Sequence, residues 1–133
     1  MSEEGLVTIP SAFSVKETID RLESAAKSHG LAIFARVDHA SGAAQVGMAL
    51  RPTEVLLFGN PKGGTPLMQD NQTAGLDLPL KALAWEDADG KVWLTRNDSA
   101  WIAKRHGVGE KSAAAVAAIE SGMTMLAKAA TGS

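Results

Sequence analysis

Apolar residues along the chain fall into two kinds of pattern, and each predicts a type of element. Short apolar runs bounded by Gly, Pro or Asp predict strands, while apolar residues spaced three and four apart predict helices. The strands are predicted at residues 6–9, 31–37, 53–58, 80–86 and 91–96. The helices are predicted from Ser14 to Gly30, over residues 40–46, from Thr65–Pro66 onward, from Asp98 to about Gly107, and over residues 112–130.

The order of these elements predicts the fold class. Strands and helices alternate in the first half and a hairpin follows, so we expect an α/β fold, specifically an α+β two-layer sandwich. One mixed sheet of about five strands would be covered by helices. The two β-α-β passages are compatible with a degenerate duplication, although no residue-level repeat supports it. Gly/Ser-rich linkers are absent, so residues 1–133 are expected to form a single domain.

The hairpin between the last two strands has a predictable register. Its loop is Asp87–Gly90, and glycine at the last loop position fits a type I turn followed by a G1 bulge. This register places Asp87 opposite Lys91, and Trp85 opposite Trp93 on the same face. A plain four-residue loop would turn Trp93 to the other face.

Composition and charge exclude several classes of protein. Apolar residues make up 45% of the 133 residues, the net charge is −2, and there is no cysteine. The charges are interspersed, so no basic stripe for nucleic acid is expected. Disulfides and thiolate metal sites are excluded. The acidic N-terminus resembles no signal peptide, and no apolar run reaches the ~18 residues of a membrane span. We therefore expect a cytoplasmic protein with no membrane partner.

The segment from Val55 to Pro66 is the strongest candidate for a binding site. A buried strand runs into a Gly/Pro-rich loop that begins a helix, and α/β proteins often bind ligands at such loops. Backbone N–H groups at the helix start, with the Lys62 ammonium, would suit an anion. The alternative is a tight turn in which Thr65 caps the helix. The candidate binding residues here are Asn60, Lys62, Gly63, Gly64 and Thr65.

Histidine supplies the other candidate chemistry. His39 follows a predicted buried strand beside Asp38, whose carboxylate could orient the imidazole of a general acid/base or ligand donor. The alternative is that Asp38 caps a helix and His39 lies on the surface. His106 follows two basic residues near a helix end, where it would interact with the helix dipole. The histidine spacing matches no metal motif, so neither a metal nor a cofactor is expected.

Four blocks of sequence carry a family resemblance: residues 37–40 with 50–54, residues 58–68, residues 78–81 with 85–87, 89–93 and 97–98, and residues 103–107. In this order they resemble the domain-of-unknown-function 302 family. The resemblance spans about Thr8 to Met125. It implies a compact α/β fold that tends to form dimers, and it implies no established activity.

Three functional hypotheses follow from the sequence. The first is a homodimeric domain that binds or senses a small anionic molecule, with a site that joins residues 59–65 to Asp38, His39, Arg51 and His106. The second is a small enzyme in which His39 is the general acid/base and Lys62 or backbone N–H groups stabilise an oxyanion. The third is a structural dimer without a ligand. Three tryptophans and an Ala-rich last helix offer surfaces for the dimer.

Overall fold

The computed structural model describes residues 2–133 and forms one sheet with helices packed on one face. The strands are β1 (Ser2–Glu3), β2 (Leu6–Ser11), β3 (Ala32–Asp38), β4 (Thr53–Gly59), β5 (Leu80–Glu86) and β6 (Val92–Asn97). The α-helices are α1 (Val15–Ser28), α2 (His39–Gln45), α3 (Pro61–Asp70), α4 (Ser99–Arg105) and α5 (Ala113–Thr131). Two short 3-10 helices span Gln72–Asp77 and Glu110–Ser112.

The two-layer α/β fold is confirmed, but the predicted mixed sheet is wrong. The strand order is β1-β2-β6-β5-β4-β3, and every pair of neighbours among the described strands is antiparallel. Helix α1 joins β2 to β3 at opposite sides of the sheet, whereas α3 joins the adjacent strands β4 and β5. The two β-α-β passages therefore have different topologies, and the structure gives no support for a duplication.

The hairpin prediction is confirmed in register and in turn geometry. Trp85 pairs with Trp93, and the Asp87 N–H donates to the Lys91 carbonyl at 2.8 Å. Gly90 has a φ of 81°, a conformation that glycine adopts without steric cost. The two indole rings stack with centroids 6.3 Å apart. Gly90 was sufficient to predict the register of the hairpin, because the length and residues of the loop determine hairpin geometry locally.

Helix α3 begins five residues earlier than the sequence predicted. Asn60 is the N-cap and Pro61 occupies the first turn, so Thr65 and Pro66 lie inside the helix. Both Asn60–Pro61 and Thr65–Pro66 match the preferred cap-then-proline sequence, so the local pattern is degenerate. The earlier start turns residues 61–65 from a loop into the first turns of a helix.

The core lies between the sheet and helices α1 and α5. Ile19 and Leu22 of α1 pack with Leu56 and Phe58 of β4 and with Leu126 of α5, and all five are buried. Antiparallel sheets commonly expose one face to water. Here the opposite face of the sheet is not covered by a described helix, and its half-buried residues include Val55, Leu57, Leu83, Trp85 and Trp93.

Candidate functional site

The candidate anion-binding loop is a closed helix N-terminus. The Asn60 side-chain oxygen accepts the Lys62 backbone N–H at 2.9 Å. The Gly63 and Gly64 N–H groups donate to the Asn60 carbonyl at 2.9 and 3.1 Å. An anion site needs free N–H groups at this position. These three donors are already used, so the predicted backbone cradle for an anion is not formed.

The same segment instead forms a wall of a cavity of about 460 Å³. This volume lies within the ~300–1,000 Å³ typical of small-molecule sites. Asn60, Gly63, Gly64 and Thr65, which the sequence singled out, all line the cavity. The facing wall belongs to α5 and consists of Ala118, Ile119, Gly122, Met123 and Leu126.

Glycines give the cavity its width. Five of its eighteen lining residues are glycine. A Cβ atom at Gly64 would lie 3.4 Å from Leu78, and one at Gly75 would lie 3.2 Å from the Met68 sulfur. A Cβ atom at Gly122 would meet no heavy atom within 4 Å. Gly122 therefore faces open space on the cavity wall, and a Cβ atom there would displace no protein atom.

A β-bulge places Phe34 at this cavity. The pairing of β3 with β4 shifts between Ile33 and Ala35, which leaves Phe34 as the extra residue. Its ring lies 3.7 Å from the position of a Cβ atom on Gly59, and the residue is 57% exposed. Bulges often redirect a side chain next to a functional site. Phe34 thus forms an apolar rim at the mouth of the cavity.

The other half of the predicted site lies at the opposite end of the sheet, so the predicted convergence of His39 with the loop is wrong. Asp38 pairs with Glu54 at the start of β4, whereas Gly59 at its end pairs with Ala32. Six residues of strand separate the two ends by roughly 20 Å. The sequence prediction required strands with converging carboxyl ends, and β3 and β4 are antiparallel.

At that distant end, each polar residue has a local structural role. The Asp38 carboxylate caps α2 by accepting the Ser41 N–H at 2.9 Å. His39 is the exposed first residue of α2. The Arg51 Nε donates to the Glu86 carbonyl at 3.1 Å. None of these three residues lines the cavity, and neither does Lys62. His39 and Lys62 therefore do not form the acid/base and oxyanion pair that an enzyme hypothesis requires.

His106 is a buried member of a polar cluster that the sequence did not reveal. It caps the end of α4, as its position predicted, and is only 7% exposed. Its Nε2 hydrogen-bonds the Asp77 carboxylate, and its Nδ1 lies 2.9 Å from the Thr73 hydroxyl. Arg105 donates to both Asp77 oxygens. The cluster fixes the 3-10 helix 72–77, which contributes Gly75 to the cavity, against α4.

Two ion-pair networks link the helices to the sheet. Arg96 of β6 is 6% exposed and donates to both carboxylate oxygens of Glu120 on α5. This pairing lowers the pKa of Glu120, mainly through the hydrogen bond from Arg96. Arg36 of β3 pairs with Glu54 and with Asp20 of α1, and these bonds raise the pKa of its guanidinium. Both networks contact helices that enclose the core or the cavity, and neither lines the cavity.

Two features are absent from residues 2–133. No group of three His, Asp or Glu side chains is close enough together to hold a metal ion in this part of the chain. None of the helices described has both the length and the apolar character needed to cross a bilayer.

Most of the cavity could not be found from sequence. Phe34, Gly75 and Gly122 come from three separate elements, and nothing local to any of them indicates a shared cavity. Gly122 did offer a signal, because a glycine inside an otherwise Ala-rich helix costs stability and often has a packing reason.

The fold is a small two-layer α/β sandwich with an apolar, glycine-lined cavity. The family model described as "Domain of unknown function DUF302" matches residues 7–126. The chain therefore belongs to the DUF302 family. The solved structure of an uncharacterised DUF302 protein from Bacillus stearothermophilus has the same fold, with a TM-score of 0.83 at 18% identity over 96% of this chain and 99% of that one.

Curated relatives match the chain at higher identity but over part of their length. A protein of Brucella suis named "Fluoride-specific ion channel FluC 1" is 54% identical over 130 residues, which is 98% of this chain and 51% of the relative. A Brucella abortus protein of the same name gives 54% identity over 48% of its length. The chain thus spans about half the length of these relatives.

Proposed function

We propose that the protein is a homodimeric domain that binds or senses a small molecule in the cavity between α3 and α5. The observation that supports this proposal is the cavity itself, about 460 Å³ and built from a loop, two helices and a β-bulge. Apolar clefts of this size with a few polar groups are typical of small-molecule sites. The cavity walls use glycine on four separate elements, which supports the view that the open volume is a built feature of the fold.

Native mass spectrometry of protein purified from cells tests this function. A binding domain is expected to retain a small molecule, or to show added mass after incubation with a metabolite extract. The matched comparison is Gly122→Leu, whose side chain would take up part of the cavity, against Gly42→Leu on α2, where a Cβ atom also meets open space. Retention by both variants would contradict the proposed site. Absence of any bound molecule in all three proteins would favour the structural dimer without a ligand.

The uncovered face of the sheet is the surface we propose for the dimer. Its central residues are Val55, Leu83, Trp85, Trp93 and Thr95, and its described charged residues are few. The indole N–H groups of this face are already satisfied within the chain. The Trp85 indole N–H donates to the Thr95 hydroxyl at 2.8 Å, and the Trp93 N–H donates to Asp87 at 2.9 Å. Burial would therefore leave no indole N–H without a partner.

The size of this face suits a second copy of the chain. Five strands of about six residues cover roughly 500 Å² in plan, from ~4.8 Å between strands and ~3.4 Å per residue. Because side chains project from the sheet, the accessible area of this face exceeds its planar area and approaches the ~800 Å² that each partner buries in a standard interface. Two such faces packed together would form an ordinary sheet-on-sheet sandwich.

Light scattering at micromolar concentration tests the dimer and its surface. We expect a dimer mass for the wild type and a monomer mass for Leu83→Glu, which would bury a charge in the interface. Ala117→Glu on the exposed face of α5 should remain dimeric. A monomeric wild type would refute the dimer. Dissociation by Ala117→Glu alone would place the interface on α5.

A domain that acts together with a fluoride channel is the second candidate. The chain is 54% identical to about half the length of each of two proteins named as fluoride-specific ion channels, and this similarity favours the second candidate. Fractionation of cells that produce both proteins separates the two candidates. A free cytoplasmic domain, as we propose, is expected in the supernatant, whereas a channel-associated domain would sediment with membranes only when the channel is present.

A further inference from the structure

We propose that the ligand is an uncharged, mainly aliphatic molecule rather than an anion. This inference rests on the proposed binding function and names the ligand class for the same cavity. Among the described residues that line it, none has a charged side chain. The two polar side chains are Asn60 and Thr65, both on the loop and α3. A buried charge without a partner is strongly unfavourable, so these walls select against ionised ligands.

The helix N-terminus beside the cavity does not compensate for the missing charge. Its first donors are used by Asn60, as the 2.9 Å bond from the Lys62 N–H to the Asn60 side chain shows. The Gly63 and Gly64 N–H groups donate to the carbonyl of the same residue. The Lys62 side chain does not reach the lining. An anion placed here would lose its hydration and would meet no opposite charge.

The apolar walls of the cavity suit a ligand with a flexible aliphatic chain. Met68 and Met123 offer adaptable thioether side chains, which fit apolar ligands of irregular shape. The glycines allow the ligand to approach the backbone closely. Phe34 is 57% exposed at the mouth, where it would cover the apolar part of an entering molecule. The Asn60 and Thr65 side chains can face a single uncharged polar group, such as a hydroxyl.

Fluorescence of N-phenyl-1-naphthylamine, an uncharged probe, tests the ligand class. We expect saturable binding to the wild type, displaced by 1-decanol at a concentration at least tenfold below that needed for decanoate at pH 8. Gly122→Leu should weaken probe binding at least tenfold, and Gly42→Leu should stay within twofold. Circular dichroism checks the fold of each variant. If Gly122→Leu does not fold, Gly122→Ala replaces it, with a smaller loss of two- to fivefold.

The possible failures separate the two proposals. If decanoate or inorganic phosphate binds the wild type as well as 1-decanol does, and Gly122→Leu loses that binding, the ligand class is wrong and the binding function stands. If the probe binds all variants equally, the cavity is not its site and the inference fails. If neither neutral nor anionic compounds bind or raise the melting temperature, both proposals fail.

Discussion

The two ends of strand β4 offer very different surroundings to a small molecule. Its Thr53 end adjoins the exposed polar residues Asp38, His39 and Arg51, of which Asp38 and Arg51 make local hydrogen bonds. Its Gly59 end opens into an apolar cavity between α3 and α5. The end at which the sequence placed the general acid/base is thus the one without this cavity. Enclosure by distant elements, rather than the presence of reactive residue types, distinguishes the candidate site.

The largest expected effect comes from the polar cluster at the cavity end. His106→Ala should reduce the free energy of unfolding by about 2–4 kcal/mol, because it leaves a void and removes hydrogen bonds to Asp77 and Thr73. The measurement is denaturant unfolding. His29→Ala is the control, since His29 is an exposed helix-end histidine, and it should cost less than about 1 kcal/mol. Equal losses would show that the cluster does not stabilise the fold.

The attachment of α5, which forms the facing wall, depends on pH. The pKa of Glu120 is lowered in the folded state by Arg96, so the ion pair contributes stability above the unfolded value of 4.5 and loses it as pH falls through the folded value. Glu120→Gln leaves the buried Arg96 without an opposite charge. It should destabilise by about 1–2 kcal/mol at pH 7, which is less than for a fully buried pair because Glu120 is 37% exposed and solvent screens the interaction.

Melting temperatures measured between pH 7 and pH 3 test whether the stability contributed by the Arg96–Glu120 pair decreases as the pH falls. The difference between wild type and Glu120→Gln should shrink as the pH falls, because protonation removes the same charge from the wild type. Lys16→Gln, which breaks an exposed pair with Asp20, is the control and should shift the melting temperature little at pH 7. A difference that is constant across the range would contradict the assigned role of Glu120.

Local features of the fold were predictable, and those that assemble the site were not. Gly90 determines the hairpin register within a few residues, so that prediction succeeded. Asn60–Pro61 and Thr65–Pro66 compete as helix starts, and tertiary packing selects the first. Strand direction depends on pairing between residues as distant as Asp38 and Glu54. The cavity needs α5, more than fifty residues after the loop, so its apolar character was not visible in the loop itself.

The two helix caps at the ends of β4 provide a matched pair of variants. Asn60→Ala and Asp38→Ala each remove a side chain that accepts a backbone N–H at 2.9 Å, so each should cost about 1 kcal/mol. Only Asn60→Ala should also change binding of the neutral probe, because Asn60 lines the cavity. Thermal melts and probe titrations measure the two effects. A change in probe binding with Asp38→Ala would mean that the two ends communicate.

The smallest expected effect is the sharpest test of the contrast between the two ends. His39 and Lys62 are exposed, and neither lines the cavity, so His39→Ala and Lys62→Ala should each change stability by less than about 0.5 kcal/mol. Both should bind the neutral probe as the wild type does. The double variant should behave likewise, since about 20 Å of strand separates residues 39 and 62. Loss of ligand binding with His39→Ala would show that the polar end is the functional one and that the cavity is not the site.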